Sequence, residues 1–455
     1  MNEMIVGILG FLTIAAIVVT LFKSKTLPSI AFIVFPAILA LVLVIGGYYT
    51  MDNIAALIKS GFSSTGPTAA LFVFSVLYFG IMTDAGMFDV IIGKMMKLVG
   101  GNVIGVAVMT CLIALIGHLD GGGASTFCIL IPAMLPVYKK MHMRPTSLLQ
   151  IGVLAMGVLN LMPWAGPTMR AASVLGIEAG ELWGTLIPIQ IFGVILSLVH
   201  AVIVGLIETK RGAGLNGKLA QIEGEVITEE AQEAAINDLA RPKLFVFNVI
   251  LTLAVIALLI WDVFPSYVPF MLGVAIAILV NYPGAKMQKK IINSHAGPAL
   301  MMCSTLMGAA VLMGVLVKSV SGADGADIAS VVTCMADLIK MVLPDFLGRH
   351  LPLVIGVLSV PLALAFDTDS YFYGMLPVMI GIGQGFGINP LPIAVAMVVC
   401  RNCATFISPM VPATLLGVGL ADVDIKDHIK NAFLWVWGFS ILCMLFAIVL
   451  GIMPL

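Results

Sequence analysis

The chain has 455 residues, of which 60% are hydrophobic and 10% charged, with a formal net charge of −1. Soluble domains carry roughly 25% charged residues, so this composition excludes a soluble globular protein and indicates an all-α polytopic membrane protein. A net charge near zero gives no sign of a nucleic-acid partner, and the seven cysteines show no paired metal-ligand spacing beyond Cys400 and Cys403, which lie in an apolar run.

A helix that crosses a bilayer needs roughly 20 apolar residues. The opening stretch MNEMIVGILGFLTIAAIVVTLFKSK has no basic front end and no small-residue cleavage site. It is expected to be a retained helix over 4–21 rather than a signal peptide. Spans follow at 28–48 and 67–84. After an amphipathic stretch, two short apolar pieces, 103–117 and 127–138, surround GHLDGGGAST. At ~1.5 Å per residue they are too short to cross comfortably, which predicts a re-entrant hairpin over 103–138 with a polar tip. The span 147–178 is broken by NLMPWAGPTM, and 185–207 follows. The acidic segment 208–242 predicts a solvated cytoplasmic linker with a short helix. Spans then recur at 243–263, 266–282 and 296–318. A second mixed stretch leads to a hairpin over 350–381 with DTDS at its tip, a span 390–420 broken by RNCATFISPMVPAT, and a last span at 432–453.

The two halves, 1–207 and 243–455, thus follow one plan: three spans, a hairpin, a broken span and a final span. Five crossings per half is odd, so the second half is expected to be inverted relative to the first. Two inverted repeats with broken helices are the architecture of a secondary transporter, with its site near mid-membrane. The basic residues support the layout. With both termini outside a plasma (cell inner) membrane, seventeen of the 23 lysines and arginines fall inside, and Lys59, Lys318, Lys340 and Arg349 fall outside. The two that remain, Arg170 and Arg401, lie in membrane segments.

Charges at membrane depth are expensive and mark function. His118, Asp120, Arg170, Asp367, Asp369 and Arg401 all fall at chain breaks, where backbone N–H groups and carbonyls are freed for ions. Arg170 and Arg401 sit at equivalent breaks. Two planar guanidinium forks, one per half, suit a substrate with two or more carboxylates; the alternative is that each arginine pairs with a local aspartate and locks the fold. Gly121 allows a tight turn and close ligand approach. Ser125, Thr126 and Thr168 offer hydroxyls in the first half, and Thr405, Ser408 and Thr414 in the second. Trp164 is a candidate wall of the site, and of Tyr371 and Tyr373 one is expected to face it. The cluster sums to −1 with His118 neutral, so an anion enters only with protons or a cation. His118, Asp120, Asp367 and Asp369 are therefore the candidate proton or cation carriers.

At LYFGIMTDAGMFDVIIGKMMKLVGG, LDGGGAST, NLMPWAGPTMRAAS and SPMVPATLLGVGLADVDIKDH the chain resembles the CitMHS family of citrate–divalent-metal/proton symporters, within the ion transporter superfamily. The resemblance spans nearly the whole chain. It implies a dimerising scaffold domain, hence a homodimer, and a transport domain that moves elevator-fashion. It also implies proton-driven uptake of citrate with a divalent metal, Mg2+ or Ca2+. The matching positions are Asp120, Gly121, Ser125, Thr126, Trp164, Gly166, Pro167, Thr168, Arg170, Asp369, Ser408 and Pro409, with Arg401, Asn402 and Thr405 beside them in the second break. Asp120 and Asp369 are the metal contacts if a metal complex is carried. The chain departs from the family pattern at Gly122, Ala124, Asp367 and VCRNCATF, which points to a changed ligand, another carboxylate carried without metal being the alternative. Sodium-coupled carboxylate transport and proton/ion exchange on the same fold are the other readings. No HExxH, nucleophile elbow or Walker loop points to an enzyme.

Overall fold

The computed structural model describes residues 1–23, 26–97, 101–214, 238–261, 263–321 and 327–453. The described chain is helical apart from a two-residue ladder, β1 (Val320–Ser321) paired antiparallel with β2 (Asp327–Ile328). The first half runs α1 (Glu3–Phe22), α2 (Pro28–Ile45), α3 (Met51–Asp84), α4 (Met87–Met96), α5 (Val103–Gly117), α6 (Gly123–Lys140), α7 (Pro145–Leu159), α8 (Gly166–Leu175) and α9 (Ala179–Arg211). The second runs α10 (Phe245–Ile260), α11 (Tyr267–Asn281), α12 (Ala285–Val317), α13 (Val331–Lys340), α14 (Asp345–Arg349), α15 (Leu351–Ala363), α16 (Leu376–Gly385), α17 (Pro390–Cys403), α18 (Pro412–Leu420) and α19 (Ile425–Val449).

The described helices are interrupted at four polar stretches. A single-turn 3-10 segment, His118–Asp120, separates α5 from α6, and residues 160–165 separate α7 from α8. In the second half a π-helical turn, Ser370–Met375, leads into α16, and the 3-10 turn Thr405–Ile407 lies between α17 and α18. Prolines start several of these pieces, because a missing N–H is harmless in a first helical turn: Pro145, Pro390 and Pro412 each stand at helix position one or two.

Several expected boundaries move. Among the described residues eight helices are long and apolar enough to cross a membrane, against ten expected spans. The span expected at 67–84 begins sixteen residues earlier, because the Thr50–Asn53 capping box starts α3 and the hydroxyls of Ser63, Ser64 and Thr65 donate back to carbonyls one turn before them. The spans at 185–207 and 296–318 likewise extend to 33 residues each in α9 and α12. In contrast α11 is only 15 residues, ending where Asn281 exchanges paired amide bonds of 3.0 and 2.8 Å with Asn248. The first limb of the first hairpin, too short by sequence, reaches 18 residues when its 3-10 turn is included. Most of the linker expected over 208–242, with its short helix, lies outside the described residues; 208–211 continue α9.

The helices pack in two groups of pairs. In one, α3 lies along α12, with α2 on α12 and α11 on α3. Close approach there depends on glycine: a Cβ on Gly61 would stand 2.0 Å from the Ala310 carbonyl oxygen, and one on Gly314 2.6 Å from that of Leu57. In the other, α5 packs on α7 and α9, α15 on α17 and α19, α6 on α18, and α16 on α8. Exchanging the halves turns each of these pairings into another that is also present, while α3–α12 and α7–α17 map onto themselves.

Candidate functional site

The two broken helices meet at their breaks. The backbone carbonyl of Asn160, at the end of α7, accepts from the Thr168 hydroxyl at 2.9 Å and from the Asn402 side-chain amide at 3.1 Å. Gly157 permits this crossing, since a Cβ there would stand 2.8 Å from the Asn402 carbonyl oxygen. Each hairpin tip then approaches this crossing and carries its own polar cluster.

At the first tip, Gly121 turns the chain with φ of +70°, a conformation open to glycine. Asp120 is held within the tip: it accepts the Gly122 N–H at 2.7 Å and the Ser125 hydroxyl. His118 is fully buried, with Nδ1 2.7 Å from the Thr126 hydroxyl and Nε2 3.1 Å from the Asn160 side-chain oxygen. Both ring nitrogens are committed to the fold. Trp164 is buried among Phe79, Phe270 and Trp183, and its indole N–H donates to the Leu119 carbonyl at 2.7 Å. It braces the tip. A Cβ on Gly123 would stand 2.3 Å from the Phe406 ring, so the first tip fits against the second break only with glycine there.

At the second tip, Arg170 Nε donates to Asp369 Oδ1 at 2.6 Å, an ion pair between residues 199 apart in the chain. A guanidinium nitrogen of Arg170 would stand 2.5 Å from a Cβ on Gly166, so glycine lets the side chain fold back over the start of α8. Met302 of α12 lies 3.7 Å from the same guanidinium. The Arg170 pairing is therefore a bridge between the halves rather than a local one. Asp367 folds into the turn, accepting the N–H groups of Asp369 and Ser370 at 3.2 Å each.

Arg401 differs. It is fully buried, yet among the described residues no carboxylate lies within ion-pairing distance of it. It donates to neutral acceptors: the Thr405 hydroxyl at 2.9 Å, the Thr368 hydroxyl at 3.3 Å and the Phe366 carbonyl at 3.4 Å. Its guanidinium lies 5.7 Å from the centre of the Tyr371 ring, and its Nε has no hydrogen-bond partner. The Asn160 amide nitrogen and the Asn402 amide oxygen are also unpartnered. Arg401 and Arg170 are within electrostatic reach of each other and of Asp369 and Asp367. Ser408 accepts the Met410 N–H at 3.2 Å and shapes the second break, and the buried Thr414 hydroxyl is unpartnered.

The structure thus brings the expected residues into two clusters joined at Asn160 and Asn402. One holds His118, Asp120, Gly121, Ser125, Thr126, Trp164 and Thr168. The other holds Arg170, Asp367, Asp369, Arg401 and Thr405. The expected metal contacts, Asp120 and Asp369, fall in different clusters, and among the described residues no group of three or more His, Cys, Asp or Glu is placed to hold a metal ion. Tyr371 bonds Ser359 at 2.6 Å beneath Arg401, while Tyr373 is within electrostatic reach of Arg170 and Asp369 and its hydroxyl is unpartnered. Sequence reading passed over Asn160, whose signal was a lone amide closing an apolar helix directly before the break. Cys400 and Cys403 only cap nearby carbonyls, as apolar filler would.

The family model for citrate transporters, CitMHS, matches residues 5–400. The chain belongs to the CitMHS citrate transporter family. It is 34% identical over 446 residues to a citrate transporter of Bacillus subtilis (strain 168), covering 98% of this chain and 99% of that one. It is 32% identical over 433 residues, 94% of each chain, to a protein of the same organism named as a Mg(2+)/citrate complex secondary transporter. Among solved structures, the Alcanivorax borkumensis YdaH transporter aligns with a TM-score of 0.56 at 14% identity, covering 89% of this chain and 91% of that one, a likeness of fold. This CitMHS member is a multi-pass membrane transporter and not an enzyme.

Proposed function

We propose that the protein imports a citrate-like di- or tricarboxylate by proton symport, with a divalent metal such as Mg2+ travelling as part of the cargo. The observation that carries this reading is Arg401. A buried cation without a carboxylate in direct contact is costly, and its unpartnered Nε offers a ready donor to an incoming carboxylate. Arg170, one cluster member away, would supply the second fork once Asp369 is neutralised by a proton. In this scheme the proton and the anion enter together because the proton frees the arginine. A metal chelated by the substrate's own carboxylates and waters needs no ligand cluster from the chain.

The scheme takes the halves as two inverted repeats, 1–207 and 243–455, supported by the helix pairings that recur when the halves are exchanged. It takes the α3–α12 group as a scaffold that dimerises, and the hairpins with the broken helices as a transport domain that moves elevator-fashion. The inside excess of basic residues supports a plasma membrane orientation with both termini outside.

The test is uptake of radiolabelled citrate into proteoliposomes. Saturable uptake with counterflow is expected, stimulated by an inward proton gradient and by Mg2+, and reduced by about a hundredfold or more in Arg401→Gln. Citrate uptake that is indifferent to the pH gradient, or undiminished in Arg401→Gln, would overturn the proposal. Uptake that follows a sodium gradient at fixed pH would replace the proton with sodium.

A further inference from the structure

Two cavities adjoin at the far end of the seam between α8 and α16. One, of about 300 Å³, is lined by Val174, Leu175, Pro377, Ile380, Gln384 and Thr333, among others. The other, of about 510 Å³, is lined by Lys340, Asp345, Arg349, Gly385 and Phe386. Gln384 and Gly385 are chain neighbours, so the end of α16 walls both.

The walls of the smaller cavity lie close along the chain to the Arg170–Asp369 pair. Val174 lies four residues beyond Arg170, on the same face of α8. Pro377 lies four residues beyond Tyr373, which is within electrostatic reach of Arg170 and Asp369. Both walls therefore lead from the cavity back to the ion pair within about one helical turn.

Charge gathers at the same place. Four basic residues fall on the face that the charge bias places outside, and three of them surround these cavities. Lys340 and Arg349 line the larger one. Lys318 directly precedes Ser319 in the wall of the smaller one, and its ammonium lies 3.4 Å from where a Cβ of Gly176, next to Leu175, would stand. The linings themselves hold Lys340 and Arg349 against one carboxylate, Asp345, among the described residues, with Lys318 beside the smaller cavity. Serine, threonine and glutamine complete the polar wall.

We infer that the adjoining cavities form a cationic entry vestibule, which collects a carboxylate anion at the outer face and passes it along the α8–α16 seam to Arg170. The inference rests on the carboxylate reading above. Cations set in a cleft with low-dielectric walls focus the field and raise the local concentration of an anion. Lysine ammoniums, compact and strongly hydrated, attract without the bidentate grip that would hold the anion back from the deeper arginines.

The experiment compares wild type with the triple variant Lys318→Gln, Lys340→Gln, Arg349→Gln in oriented proteoliposomes, with radiolabelled citrate at either face. For citrate at the outer face, KM is expected to rise about tenfold in the variant, with maximal rate within about twofold of wild type. Wild-type KM should climb as choline chloride is added, and the variant's KM should not. The charge-keeping variant Lys318→Arg, Lys340→Arg, Arg349→Lys should retain the wild-type KM and salt response. Should the triple variant fail to assemble, the exposed Lys340→Gln change alone reads the same loss of salt response with a smaller shift. Wild-type kinetics in the variant, or an equal KM rise at both faces, would overturn the vestibule while leaving carboxylate transport intact. Failure of the wild-type protein to take up any carboxylate would overturn both.

Discussion

Arg401, at the end of α17, and Arg170, within α8, are the same residue type, and their surroundings give them opposite energetics. Arg401 contributes a buried cation with only neutral acceptors around it, so the empty protein bears its desolvation penalty. Arg401→Met should leave thermal stability unchanged or raise it by about 1–4 kcal/mol. The same variant should lose the stabilisation that a true ligand confers, about 2.7 kcal/mol at a hundredfold over its dissociation constant. Differential scanning of the purified protein with and without citrate and Mg2+ reads both effects. Arg170, by contrast, is paired. Arg170→Met or Asp369→Leu alone leaves one buried charge unpaired and should destabilise by about 3–5 kcal/mol, while the double variant recovers most of that loss. Additive losses in the double-mutant cycle would mean that the two side chains are not coupled.

At the scale of elements, glycines decide which helices can touch. In α12, a Cβ on Gly314 runs into the backbone of Leu57 and Ile58, whereas one on Gly297 meets nothing within 4 Å. Gly314→Val should therefore destabilise by about 1–3 kcal/mol or more, and Gly297→Ala should be neutral or mildly stabilising through helix propensity; unfolding in detergent separates the two. Gly123→Ala should push the first hairpin tip off Phe406 and reduce uptake without lowering citrate-independent stability as much as Gly314→Val. Element existence was legible from the lengths of apolar runs and the polar interruptions between them. Element ends were less so. The start of α3 is polar, and its hydroxyls are satisfied by the helix's own carbonyls, so counting apolar residues misses it.

At the scale of the whole molecule, the charge bias makes a topological prediction. A cysteine introduced at Lys59 should react with an impermeant maleimide from outside intact cells, and one at Lys290 only after the inner face is exposed. Reaction of both from one side would collapse the inverted arrangement, since an added or missing crossing flips every later loop. The same prediction bears on the first hairpin, whose first limb is long enough to cross when its 3-10 turn is counted.

By itself the sequence determined that the chain is a helical membrane protein, where its apolar runs break, and which charged residues stand at those breaks. These are local properties: run length, proline and glycine placement, and the expense of a charge in hydrocarbon all act within a few turns of chain. Tertiary structure decided the partners. It set Arg170 on Asp369 and Asn402 on Asn160, contacts between residues 199 and 242 apart, and among the described residues it left Arg401 without a carboxylate in ion-pair contact. Which of two like arginines makes a direct ion pair depends on how the halves pack against each other, and no local pattern of residue types encodes that packing.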